Sequence, residues 1–155
     1  MTIHTTIPAT LRWVGDIDGR LVLLDQTLLP REIREIECQD VATVWEAIKH
    51  LRVRGAPAIG VAAAYALCLA ASGAAPRDAL KIRQDVRRAA DYLATSRPTA
   101  VNLFWALARM QRRLAEVSHS ASGQESCAAL LTEARAIHDE DRRQCHRIGE
   151  LGAAT

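Results

Sequence analysis

The 155-residue sequence predicts an α+β fold, a small N-terminal antiparallel sheet of about three strands followed by about five packed helices. Three observations carry that reading. Up to about residue 39, short apolar runs are separated by residues typical of hairpin turns. From Asp40 onward, apolar residues recur at helical spacing and Pro-, Gly- and Ser-containing breaks divide the runs. One run, 56–71, is apolar on every side, as a helix at the centre of a bundle is. One domain fits this length, β-rich over 1–39 and helical over 40–155.

Each element has its own reason. Leu11–Val14 and Arg20–Asp25 flank Gly15-Asp16-Ile17-Asp18-Gly19, a hairpin composition. Glu32–Cys38 alternates at period two, the mark of a half-solvated third strand. Asp40 caps a helix with Val41, Val44, Trp45, Ile48 and Leu51 on one stripe. After the run 56–71, Ser72–Pro76 breaks the chain, and a helix over about 77–95 turns Leu80, Val86, Ala90 and Leu93 inward. Ser96–Thr99 is the next break. A fourth helix, opening at Pro98 or Thr99, carries Val101, Leu103, Phe104, Leu107, Met110, Leu114 and Val117. The last helix runs from about Gln124 to Gly149, and 148–155 reads as a connection at which the chain looks incomplete.

Composition limits the function classes. Hydrophobic residues at 49% and charged residues at 25% match a soluble globular protein. Cys38, Cys68, Cys127 and Cys145 have no paired spacing and no apolar leader precedes them, so they read as reduced thiols in the cytoplasm. The longest apolar run is shorter than the ~20 residues that span a bilayer, which argues against a membrane protein. The arginine-rich stretches 83–88 and 109–113 are mixed with acids or lack stacking aromatics, so solvated faces are preferred to nucleic-acid binding.

The most informative stretch is 53–65, Val-Arg-Gly-Ala-Pro-Ala-Ile-Gly-Val-Ala-Ala-Ala-Tyr. Gly55 permits backbone angles that side chains resist, and Pro57 suits the first helical position. The free N–H groups of a helix start favour an anion, and Arg54 adds a planar donor fork beside them. Arg97, extended by Pro98, precedes a second helix start. Two such starts can clamp a phosphosugar from two sides; the alternative is that Arg54 and Arg97 are solvated or paired with acids. The cluster His138, Asp139, Glu140, Asp141, Cys145, His146 lacks a complete metal-ligand set and is interleaved with arginines, which favours a charged helix face. His50 reads as a partner of a helix C-terminus and Cys68 as a core thiol. No nucleophile–base pair is identifiable.

The segments 54–65 and 97–103, with 20–30 and 148–153, closely resemble the methylthioribose-1-phosphate isomerase family in order and spacing across essentially the whole chain. That family is grouped with ribose-1,5-bisphosphate isomerase and the regulatory subunits of translation initiation factor 2B. The resemblance implies an aldose–ketose isomerase of methionine salvage, converting 5-methylthioribose 1-phosphate to 5-methylthioribulose 1-phosphate without cofactor or metal, usually as a cytoplasmic homodimer. It places Arg54, Gly55, Ala56 and Arg97 at substrate-contacting positions. The family's C-terminal Rossmann-like domain carries a catalytic cysteine, in a threonine-histidine-cysteine-asparagine motif, and an aspartate. Neither motif is found in this sequence, and Leu151 stands where the family often has histidine. The resemblance therefore implies the substrate-binding N-terminal part with no catalytic residue, inactive alone. A non-catalytic helical interaction module and a ribose-1,5-bisphosphate isomerase fragment are the alternatives.

Overall fold

A computed structural model describes residues 8–73 and 78–154. Strands β1 (Leu11–Val14), β2 (Arg20–Leu24) and β3 (Glu35–Cys38) form an antiparallel sheet in the order β1-β2-β3. Leu11 faces Leu23, and Leu23 faces Ile36; Trp13 faces Leu21, and Leu21 faces Cys38. Opposed residues share a face, so Leu11, Trp13, Leu21, Leu23, Ile36 and Cys38 all turn toward the helices. Arg12, Arg20, Glu35 and Glu37 occupy the outer face and pair as Arg12–Glu35 and Arg20–Glu37. The third strand is shorter than the alternation predicted, because Asp25 ends β2 and caps a 3-10 turn at Gln26–Leu28.

Five α-helices follow among the described residues: α1 (Val41–Lys49), α2 (Ala56–Ala71), α3 (Ala79–Ala94), α4 (Val101–Glu116) and α5 (Gly123–Ala153). The predicted Asp40 cap is present, its carboxylate accepting from the Thr43 N–H at 2.7 Å. Asp78 caps α3 and Ser122 caps α5, the latter in a reciprocal capping box with Glu125. The expected break at 72–76 lies partly, from 74 to 76, outside the described residues, as does Arg77.

Helix α2 is the axis of the molecule. It buries residues all around its circumference and packs against α1, α3, α4, α5 and the sheet. Small side chains allow this, since Ala62, Ala63, Ala64 and Ala66 are fully buried and neighbouring helices come close.

Several inward assignments fail. Leu80 is 62% exposed, Val101 78% and Phe104 43%. Leu51 leaves the α1 stripe, in a left-handed conformation with φ 59° beyond the helix end. Helix α5 does not stop at Gly149 but continues to Ala153, so the predicted connection is helical there. Its buried residues end at Ile137, His138 and Glu140 still meet Tyr65 and Arg109, and residues 142–154 are exposed.

Candidate functional site

The N-terminal turns of α2 and α4 lie side by side. A β-carbon built on Gly60 would sit 3.0 Å from the Asn102 carbonyl oxygen and 3.5 Å from the Ala106 β-carbon. Pro57, Gly60, Val101, Asn102 and Trp105 line one cavity of about 330 Å³ between α2, α4 and α5. Arg54 stands two residues before α2 and Arg97 four residues before α4, so both arginines belong to this end of the bundle. A larger cavity, about 660 Å³, touches Ala71 and Ser122. It lies at the far end of α2, whose length is ~24 Å; neither arginine lines either cavity, and the smaller one is also lined by Glu140 and Asp141.

The two helix starts share a property. Helices α1, α3 and α5 are capped by side chains, whereas neither α2 nor α4 has a side-chain cap. That leaves the Ala56 and Ala58 N–H groups of α2 and the Val101 and Asn102 N–H groups of α4 without a side-chain acceptor; Pro57 has no N–H, and the Leu103 N–H donates to the Ala100 carbonyl at 3.0 Å. Gly55 caps α2 with φ 95°, an angle that glycine adopts without strain. Nothing lies within 4 Å of where a Gly55 side chain would start, so the backbone angle rather than crowding requires glycine here. Ala56, not Pro57, occupies the first helical position, and Pro57 follows within the same turn. Helix α4 also starts later than expected. The Ala100 N–H donates to the Arg97 carbonyl at 3.0 Å, closing a turn with Pro98 at its second position, and the helix begins at Val101.

Arg54 is exposed and Arg97 is half-buried. Among the described residues, neither guanidinium forms an ion pair or hydrogen bond, unlike Arg52 or Arg109. Arg109 instead braces α4 to α5 through Glu133 at 2.5 Å and Glu140 at 2.6 Å, and lies 5.4 Å over the Trp105 ring.

Two supports behind the arginines were not anticipated. Asp25 is 2% exposed and accepts from the Thr27 N–H at 3.0 Å and from Arg52 Nη1 at 2.8 Å. Burial pushes its carboxyl up, but the hydrogen bonds from Thr27 and Arg52 outweigh that and hold it below the ordinary value. Asp25-Gln26-Thr27 is an Asx-turn composition, the one local signal that could have marked it. Trp45 reaches across to Thr95, a pairing no helical periodicity reveals.

Four further titratable groups have structural surroundings. His50 caps α1, its ring Nδ1 3.1 Å from the Glu46 carbonyl. His138 Nδ1 lies 3.0 Å from the Tyr65 hydroxyl. Burial pushes the Cys38 thiol up to about 12 and raises Cys68 further, so neither is a ready nucleophile. Among the described residues, no group of three or more His, Cys, Asp or Glu could hold a metal, and no helix is long and apolar enough to cross a membrane.

Residues 52–155 match the profile of the initiation factor 2 subunit family. The 5-deoxyribose 1-phosphate isomerase of Moorella thermoacetica is 50% identical over 141 residues, covering 88% of this chain and 39% of that protein. The methylthioribose-1-phosphate isomerase of Heliobacterium modesticaldum is 46% identical, covering 92% and 40%. Among solved structures, 5-methylthioribose 1-phosphate isomerase from Pyrococcus horikoshii superposes with a TM-score of 0.79 at 35% identity, covering 88% of this chain and 37% of that one. Subunit delta of translation initiation factor eIF-2B from A. fulgidus gives 0.77 at 38% identity, covering 85% and 37%. The chain spans about two fifths of the length of the curated relatives it matches.

Proposed function

This chain belongs to the initiation factor 2 subunit family, and on that premise we propose that it is the phosphate-gripping part of an aldose–ketose isomerase. The preferred reaction is 5-methylthioribose 1-phosphate to 5-methylthioribulose 1-phosphate, in the cytoplasm and within a homodimer. The isomerase names of its relatives support the reaction class. Two helix starts without side-chain caps, packed side by side and each preceded by an unpaired arginine, carry the reading.

The division of labour follows from the residues. Arg54 and Arg97 neutralise the phosphate, while Gly55 and Ala56 present backbone to it at the start of α2. The isomerisation itself moves hydrogen between C1 and C2 of the sugar. Among the described residues, Glu140 and Asp141 line the cavity between α2, α4 and α5, with Glu140 held by Arg109, and neither Arg54 nor Arg97 lines that cavity. On this reading the proton-transfer groups are supplied from outside these 155 residues, and the chain alone is expected to turn over negligibly. No metal or organic cofactor enters the scheme.

Calorimetric titration of the full chain with ribose 1-phosphate tests the binding. Weak heat that falls at least about tenfold in affinity in both Arg54→Ala and Arg97→Ala supports the reading, each arginine contributing a charge-assisted contact. Affinity indifferent to both substitutions rejects it. Isomerase turnover by the isolated chain, abolished in Arg97→Ala, would contradict the division of labour.

A second reading is a non-catalytic interaction module. The exposed apolar group Val101, Phe104 and Trp105 favours it, as does the likeness to the A. fulgidus subunit. It expects no heat from the sugar phosphate.

A further inference from the structure

Adjacent residues of α1, Trp45 and Glu46, each hold one of the two arginine-bearing loops. The Trp45 indole N–H donates to Thr95 Oγ1 at 2.9 Å, and its ring stacks on Tyr92 at 5.4 Å with 13° between planes. Thr95 Oγ1 donates onward to the Tyr92 carbonyl at 2.6 Å. Ser96, buried, donates its hydroxyl to the Leu93 carbonyl at 2.6 Å, and Arg97 follows directly.

On the other side, the Glu46 carboxylate takes a two-pronged grip from Arg52, Nε at 2.9 Å and Nη2 at 3.0 Å. The N–H groups of Arg52 and Val53 both donate to the Ala47 carbonyl, at 2.9 Å and 3.3 Å. Val53 is fully buried, and Arg54 comes next.

We propose that α1 is a splint for the phosphate grip, with Trp45 and Glu46 as positioning residues that set the separation of Arg97 and Arg54. The inference rests on the binding reading above. Among the described residues neither arginine has an ion partner of its own, so the anchorage of its loop decides where its guanidinium starts. Two donors that meet one anion bind it tightly only when their spacing is fixed beforehand. A short helix joined to both loops through neighbouring residues fixes it, because neither loop can shift without breaking a contact to α1.

The test measures affinity of the full chain for inorganic phosphate, with near-ultraviolet circular dichroism showing that each variant is folded. Trp45→Phe keeps the stacking surface and loses the N–H; Thr95→Val removes its acceptor, and Thr95→Ser restores it. Trp45→Phe and Thr95→Val are expected to weaken phosphate binding about fivefold, the scale of one lost hydrogen bond, with Thr95→Ser close to wild type. Glu46→Gln is expected to weaken binding similarly. The distinguishing readout is coupling. Trp45→Phe should add nothing in an Arg97→Ala background, and Glu46→Gln nothing in an Arg54→Ala background, whereas a merely structural role gives additive losses. Additive losses, or wild-type affinity in Trp45→Phe and Glu46→Gln while the arginine variants lose binding, overturn the splint and leave the binding reading standing. Wild-type affinity in the arginine variants overturns both.

Discussion

Gly60 is seated against the carbonyl of Asn102, with only 3.0 Å between that oxygen and the place a β-carbon would take. The contact sets how closely the starts of α2 and α4 approach. Alanine at 60 would gain about 0.5–1 kcal/mol of helix propensity, but it would press on a packed backbone that cannot rotate out of the way. We expect Gly60→Ala to destabilise by about 1 kcal/mol net and Gly60→Val by about 3 kcal/mol, the range of overpacked cores. Urea unfolding measures both, and a more stable Gly60→Ala would show that α4 yields freely.

Arg52 is the partner of a carboxylate that cannot reach water. Asp25 is buried, and Arg52→Leu leaves it charged and without its cation. Removing one member of a buried pair costs about 3–5 kcal/mol. Arg52 is itself about one-third exposed, so about 2–3 kcal/mol is expected after discounting for solvent. The double variant Asp25→Asn/Arg52→Leu should recover a good part of the loss, since an amide still accepts from Thr27 without a charge to strand. Chemical denaturation of the single and double variants decides it, and equal losses in both would refute the account.

Acidification should loosen the contact between α2 and α5. His138 is half-buried; burial lowers the pKa of its imidazole, and the nearby positive Arg142 lowers it further. Such a histidine binds its proton more readily in the unfolded chain, so stability is full above the ordinary imidazole value of about 6.5 and is lost as pH falls below it toward the lowered one. Thermal unfolding between pH 8 and pH 5 should therefore slope downward in the acid range. His138→Gln should flatten that slope while keeping a partner for the Tyr65 hydroxyl. A slope unchanged in His138→Gln would assign it elsewhere.

The pattern of the chain made much of this architecture legible. Apolar runs around a hairpin turn marked the first two strands, and period-two alternation marked the third, whose Glu35 and Glu37 pair with Arg12 and Arg20 on the outer face. Asp40 announced α1, and the small apolar run announced a central helix. Periodicity failed where it could not see neighbours. Leu80, Val101 and Phe104 sit at helical spacing with the core residues but on faces left exposed among the described residues. Gly149 and Gly152 looked like stops, yet glycine only weakens a helix by about 1 kcal/mol, and with no left-handed turn there α5 runs on. At the candidate site, the arginines and the glycine turn were readable because they are local. The supports were not, since Trp45 meets Thr95 fifty residues away and Arg52 meets Asp25 twenty-seven away.

The long reach of α5 carries a mechanical consequence. Glu140 is held to the body by Arg109, Gln144 still lines the cavity against α2 and α4, and the helix continues to Ala153 with Ile148 and Leu151 exposed. At 1.5 Å per residue the helix from Glu140 to Ala153 measures ~20 Å. A tilt of only about 5° at the tie then sweeps the tip sideways by ~2 Å. The Arg109–Glu140 pair thus sits near the fulcrum of a lever, and an adjustment too small to disturb the packed layers beneath becomes a displacement the width of an atom thirteen residues along the helix.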